Sequence, residues 1–209
     1  MVARGGSGML VGMPESDPKA VLHRYLQAVR AALLWKLDGL SEYDVRRPLV
    51  VSGTNLLGLL KHVGSVAAGY FGECFDRPFP EDLPWFADDA EPNADMWATP
   101  EESRDYIVDL YARTWAHADA TIDALPLSAT ATVPWWGEGR DHPTLHLLLI
   151  HMATETFRHA GHADIVRELI DGSAGWRDGN TNLPDEDSQW WSAYRLRLEQ
   201  VAEGFSGGG

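Results

Sequence analysis

Residues 144–170 constrain the fold more than any other part of the chain. Leu145, Leu148, Leu149 and Met152 open an apolar helical pattern, and Ile165, Val166 and Leu169 close it. One helix is therefore predicted from about Thr144 to Leu169 or Ile170, ending before Gly172. Within it His151, Glu155 and His159 follow one another at intervals of four. Each is displaced by only about 40° from the last, so the three share a face. Neutral imidazole and carboxylate are the usual ligands of a borderline divalent metal. A helix anchored in apolar neighbours at both ends, with ligand-type side chains between, belongs in a metal-binding helical bundle.

The rest of the chain supplies the partners. A first helix is predicted over Asp17–Leu37, with Asp17 as N-cap, Pro18 at the first position and Gly39 after the end. Residues 40–53 read as a loop with a short extended piece, Pro48–Val51. A second helix runs from near Thr54 to about Phe75, apolar almost all round, with His62 at its middle. Gly58, Gly64, Gly69 and Gly72 would weaken it by roughly 1 kcal/mol each if exposed, so they are expected where helices approach closely. A third helix is predicted from Thr99, with Pro100 at its first position, to about Ala124, and a last one over Glu186–Glu203. The connections 76–98 and 125–142 are long, and they carry Trp85, Phe86, Trp97, Trp135 and Trp136. Loops of that length and content are expected to cover an opening in the bundle. The tryptophans are otherwise expected in the core, with one or two lining a pocket.

With 209 residues, one domain is the default. The expected layout is a disordered segment over 1–16, a single bundle over 17–204 and a flexible tail over 205–209. The net charge of −14 argues against nucleic acid or an anionic membrane as partner, since both select basic surface. No apolar run reaches the length of a membrane span, and the Gly-rich start lacks the pattern of a secretory signal. The single cysteine, Cys74, excludes an intramolecular disulfide and is expected to be buried and inert. A cytoplasmic location fits. The partner expected is a small-molecule substrate; a homodimer is allowed.

A metal also needs a ligand from a second helix, and His62 is the candidate. Ligands two turns apart, about 10.5 Å along the axis, do not reach one ion, so only one turn of the 151–162 face should bind directly. Spacing alone does not choose between the pairs His151/Glu155 and Glu155/His159. Three protein ligands would leave a coordination position open, as in catalytic sites.

The segment Thr154-Glu155-Thr156-Phe157-Arg158-His159-Ala160-Gly161-His162-Ala163-Asp164-Ile165, with Leu60-Lys61-His62-Val63 upstream, resembles the DinB-like superfamily of metal-dependent four-helix bundles. It is similar to the actinobacterial branch with Glu-x-x-x-His, which holds the N-terminal domain of mycothiol-dependent maleylpyruvate isomerases and the mycothiol S-transferases. The resemblance spans most of residues 18–203. It implies an all-α, DinB-like four-helix bundle with long connections and an additional C-terminal helix. It implies His62, Glu155 and His159 as ligands of a divalent metal, zinc first, with nickel or iron as alternatives. Mycothiol or another low-molecular-weight thiol is the implied cosubstrate. His151 becomes a pocket residue and the candidate catalytic acid or base; His162 and Arg158 keep no assigned chemistry. The function expected is a metal-dependent thiol S-transferase, or thiol-assisted isomerase, acting on small electrophiles. The alternatives are a metal-dependent hydrolase and a non-catalytic metal-binding stress-response module, because a fold is shared more widely than a reaction.

Overall fold

The computed structural model describes residues 17–206; the expected disorder of 1–16 and the end of the tail, 207–209, lie outside the described residues. Among the described residues the chain forms six α-helices: α1 (Pro18–Trp35), α2 (Glu42–Arg46), α3 (Leu56–Phe71), α4 (Arg104–Ala124), α5 (Leu145–Asp171) and α6 (Ser188–Glu203). No strand accompanies them; pairing is limited to isolated bridges at Thr130–Thr144 and Arg177–Asn180. α3 packs on α4 and α5, and α1 packs on α5. These four make the all-α, DinB-like bundle. Leu26, Val29 and Leu33 of α1 meet Leu57, Leu60 and Phe71 of α3, Ile107 and Ile122 of α4, and Leu148 and Met152 of α5 in one core. Each of these apolar side chains is buried, a gain of about 2 kcal/mol apiece relative to exposure.

The helix starts follow from capping chemistry. Asp17, Asn55, Ser103, Thr144 and Asp187 each accept a hydrogen bond from a backbone N–H of the first turn they cap. α5 ends where expected, at Gly172, whose φ of 78° is the left-handed conformation that glycine adopts freely.

Several expectations are corrected. The loop predicted over 40–53 contains α2, because Ser41 caps a helical turn carrying Glu42 and Asp44. Pro48–Val51 finds no strand partner and leads into a turn closed by Gly53 N–H to the Val50 carbonyl. The third helix begins at Arg104 rather than at Thr99. Glu102 turns its carboxylate back onto Thr99 N–H at 2.7 Å, closing a separate turn, and Ser103 caps the helix proper. The second helix stops at Phe71; Gly72 breaks it and Glu73–Phe75 continues as a 3-10 turn. Ile165 and Leu169 were expected in the core and are 61% and 60% exposed. Ile165 lies about 200° round from buried Ala163, so the two cannot share a face. Only Trp85 and Trp115 of the nine tryptophans are buried. α6 buries none of its residues, and its Trp190 and Tyr194 stack on one another at 5.1 Å.

Of the glycines expected at helix contacts, Gly64 meets α4 as expected, whereas Gly58 meets the α3–α4 connection instead. A Cβ on Gly58 would lie 1.8 Å from the Met96 carbonyl oxygen, and one on Gly64 would lie 3.1 Å from Thr114 Oγ1. The first contact is what brings the 94–97 segment down onto α3 beside His62.

Candidate metal centre

α3 presents His62 toward α5, where Glu155 and His159 occupy successive turns. One donor atom from each of His62, Glu155 and His159 lies within 4.8 Å of the others, the only such group of three among the described residues. Glu155 Oε1 stands 2.8 Å from His159 Nε2 and 3.5 Å from His62 Nε2. The two imidazole rings meet edge to face with centroids 4.8 Å apart. The structure thus brings together the 155/159 pair with His62 and leaves His151 outside the cluster.

The segment between α3 and α4 orients His62. Asp95, in the 3-10 turn Ala94–Met96, places Oδ2 2.6 Å from His62 Nδ1. Burial raises the Asp95 pKa, but the hydrogen bond and charge of His62 outweigh it and hold the carboxyl below its ordinary value. An ionised carboxylate can only accept, so Nδ1 is the donor to Asp95, and Nε2 is the nitrogen that faces Glu155. A carboxylate behind a histidine is the usual device for fixing the ligating nitrogen.

Asp95 is in turn held from both sides. The Lys61 ammonium donates to the carbonyls of Ala94 (2.9 Å) and Trp97 (3.0 Å) and pairs with Glu102 Oε2 at 2.9 Å. It sits 4.0 Å from the centre of the Trp85 ring. Lys61 is only 2% exposed, and these contacts satisfy all three of its donors. Asn55 adds a hydrogen bond from Nδ2 to the Met96 carbonyl at 3.2 Å while its Oδ1 caps α3 at Gly58 N–H. The residue before the histidine therefore anchors the loop that aims the histidine. Sequence reasoning missed Asp95 and Lys61. The signal available was the flag on loop 76–98; no spacing rule links residue 95 to residue 62.

The electrostatics fit a cation. Burial raises the Glu155 pKa, yet hydrogen bonds and charge from His159 and His62 bring it below the ordinary value. Burial and the neighbouring His62 lower the His159 pKa, partly countered by Glu155. One carboxylate and two imidazoles form the donor set that a borderline divalent metal takes. His159 Nδ1 is buried without a hydrogen-bond partner, so no carboxylate backs this imidazole as Asp95 backs His62. The residues present fit the group.

His151 lies one turn before Glu155 and enters the aromatic wall. Its ring meets Tyr70 at 4.9 Å and Trp136 at 5.0 Å, both edge to face. Burial lowers its pKa, with Glu155 acting in the opposite sense, so at neutral pH it is the unprotonated base. Trp135 and Trp136 both donate their indole N–H to the Tyr70 hydroxyl, at 3.2 and 3.0 Å. The two long connections meet their expectation in part. Trp136 packs beside His151, whereas Trp85 turns inward to donate to Ser65 Oγ at 2.9 Å. His162 touches the edge of His159 at 5.4 Å from the solvent side, and Arg158 is exposed.

No curated protein matches the chain. A family model described as Mycothiol-S-transferase matches residues 21–172, a span that contains His62, Asp95, His151, Glu155 and His159. That match covers more than half of the chain and agrees with the helical bundle, so the chain belongs to the Mycothiol-S-transferase family.

Proposed function

We propose that this protein is a metal-dependent S-transferase that joins a low-molecular-weight thiol of the mycothiol type to a small electrophile. The observation that carries the reading is the two-histidine, one-carboxylate cluster with a carboxylate-backed His62, set beside an unprotonated His151. His62, Glu155 and His159 would hold the metal, zinc first. Three protein ligands rather than four favour a catalytic site over a structural one. A divalent metal there supplies Lewis acidity, which favours the thiolate form of a coordinated thiol.

The chain's own groups supply the remainder. His151 accepts the thiol proton on a ring nitrogen, because burial keeps that ring neutral. The sulfur then forms a bond to the electrophilic carbon while the bond to the leaving group breaks, and the leaving group departs with its electron pair. Tyr70 and Trp136 hold the His151 ring edge-on from two sides and exclude water around it.

The test pairs metal content with turnover. His62→Ala, Glu155→Ala and His159→Ala should each lose bound metal by elemental analysis, and with it conjugation of mycothiol to a model electrophile. A variant of this set that keeps full metal and full activity overturns the ligand assignment. Turnover that proceeds equally well without a thiol overturns the transferase reading in favour of a hydrolase.

A further inference from the structure

An open groove of about 890 Å³ lies beside the site, between α3, the 82–87 segment and Trp135. Tyr70 joins the two: it lines the groove, and its ring meets that of His151 at 4.9 Å. Tyr70 stands two turns along α3 from His62, about 12 Å along the axis. Val66, Tyr70, Leu83, Phe86 and Trp135 give the groove an apolar lining that includes three aromatic rings. Trp135 and Phe86 are 58% and 48% exposed, an unusual cost for two large rings in loops unless something covers them. Two carboxylates, Glu73 and Asp82, also line it, and neither forms an ion pair among the described residues.

The acid and the aromatic ring meet at one place. A Cβ built on Gly69 would lie 3.8 Å from Glu73 Oε2 and 3.9 Å from Trp135 Cη2. Glycine at 69 leaves that space open, flanked by a carboxylate on one side and an indole on the other. A positive charge set against an aromatic face and a carboxylate is attracted by both, while an anion is repelled by the acids. We propose that this groove seats the electrophile and selects aromatic molecules that carry a positive charge over anionic ones. The proposal rests on the transferase reading for its chemistry, but the groove's preference can be measured without turnover.

Calorimetric titration of the full chain with benzyltrimethylammonium and with phenylacetate is the direct test. The cation should bind saturably and phenylacetate should not. The dissociation constant for the cation should rise by about tenfold or more in the Glu73→Gln/Asp82→Asn double variant and in Trp135→Ala. Filling the space with Gly69→Leu should abolish binding while leaving metal content unchanged. Equal binding of both probes, or cation binding that these substitutions do not alter, overturns the proposal. Kinetics with a benzyl bromide series bearing para trimethylammonium, hydrogen or carboxylate then test the link to catalysis. Here the thiol sulfur bonds to the benzylic carbon as bromide leaves with the bonding pair, and the thiol proton passes to His151 and from there to solvent. The ratio of kcat/KM for the cation over the anion should favour the cation and collapse in the double variant. Cation binding that depends on the acids, without any conjugation, supports the groove and sinks the transferase reading. Conjugation with no charge preference does the reverse.

Discussion

Asp95 shows how much of the site rests on one residue outside the ligand set. Its carboxylate fixes the His62 proton on Nδ1, so its loss leaves the ring free to change tautomer or turn. Asp95→Asn is expected to lower metal affinity by about 10- to 100-fold while leaving the bundle folded. Competition with a chelator, beside a far-UV circular dichroism spectrum, checks both halves. Wild-type affinity in the variant would mean that Asp95 does not act on the site. Cys74 makes the opposite case. Burial first, then the charge of Glu73, pushes its thiol up to about 12, and the residue is only 4% exposed. A thiol that stays protonated is a poor nucleophile. The folded protein should therefore leave a disulfide reagent unconsumed at pH 7 and consume one equivalent after denaturation, and Cys74→Ala should leave the proposed transferase activity unchanged.

At the level of elements, the α3–α4 connection behaves as a splint. Lys61, Asn55 and the gap above Gly58 fasten residues 94–97 to α3, and Asp95 sits between the fastenings. Replacing the buried Lys61 by Met strands two carbonyls and Glu102, so about 3 kcal/mol of stability should be lost. Gly58→Ala forces the Met96 carbonyl away and is expected to cost about 1–3 kcal/mol. Both variants should also weaken metal binding, since each lets Asp95 drift from His62. A denaturant melt read beside a metal titration separates the two effects, and metal affinity unchanged in both variants would mean that the splint is only structural. This connection also marks the boundary of what the chain's pattern makes legible. Caps and 3.6-residue periodicity located α1, α5 and the mid-helix position of His62, because those signals are local. Spacing on α5 left two ligand pairs open; the family resemblance chose Glu155 and His159, and the position of α3 sets these two, rather than His151, opposite His62. Asp95 and Lys61 were out of reach because their roles arise from a loop folding back 33 residues later. The exposed faces of Ile165 and Leu169 were misread for a related reason. Apolar character gives a side chain's preference, and the packing of neighbours decides whether it is met.

For the whole molecule, the bundle is tied by charged clamps whose pH response has a definite sign. Asp119 on α4 accepts from the Arg30 guanidinium at 2.7 and 2.5 Å and lies 2.7 Å from His23 Nε2, both on α1. Burial raises the Asp119 pKa, but the hydrogen bonds and charges of His23 and Arg30 bring it below the ordinary value. At the far end Asp171 is lowered chiefly by Arg167, whose guanidinium also donates to the Lys36 and Asp38 carbonyls and so joins α5 to α1. A carboxylate whose pKa is lower folded than unfolded binds fewer protons in the native state. Its contribution is present in full above the ordinary carboxylate range near pH 4 and is lost as pH falls through the folded value. The melting temperature should therefore hold steady through neutral pH and fall between about pH 5 and 2. Asp119→Asn lowers stability at pH 7, because Arg30 loses its partner, yet it removes one of the groups that titrate. The difference in melting temperature between wild type and variant should thus shrink steadily as pH falls through that window. A difference that stays constant from pH 7 to pH 2 would show that the α1–α4 clamp holds the bundle by shape and packing, with its charge making no net contribution.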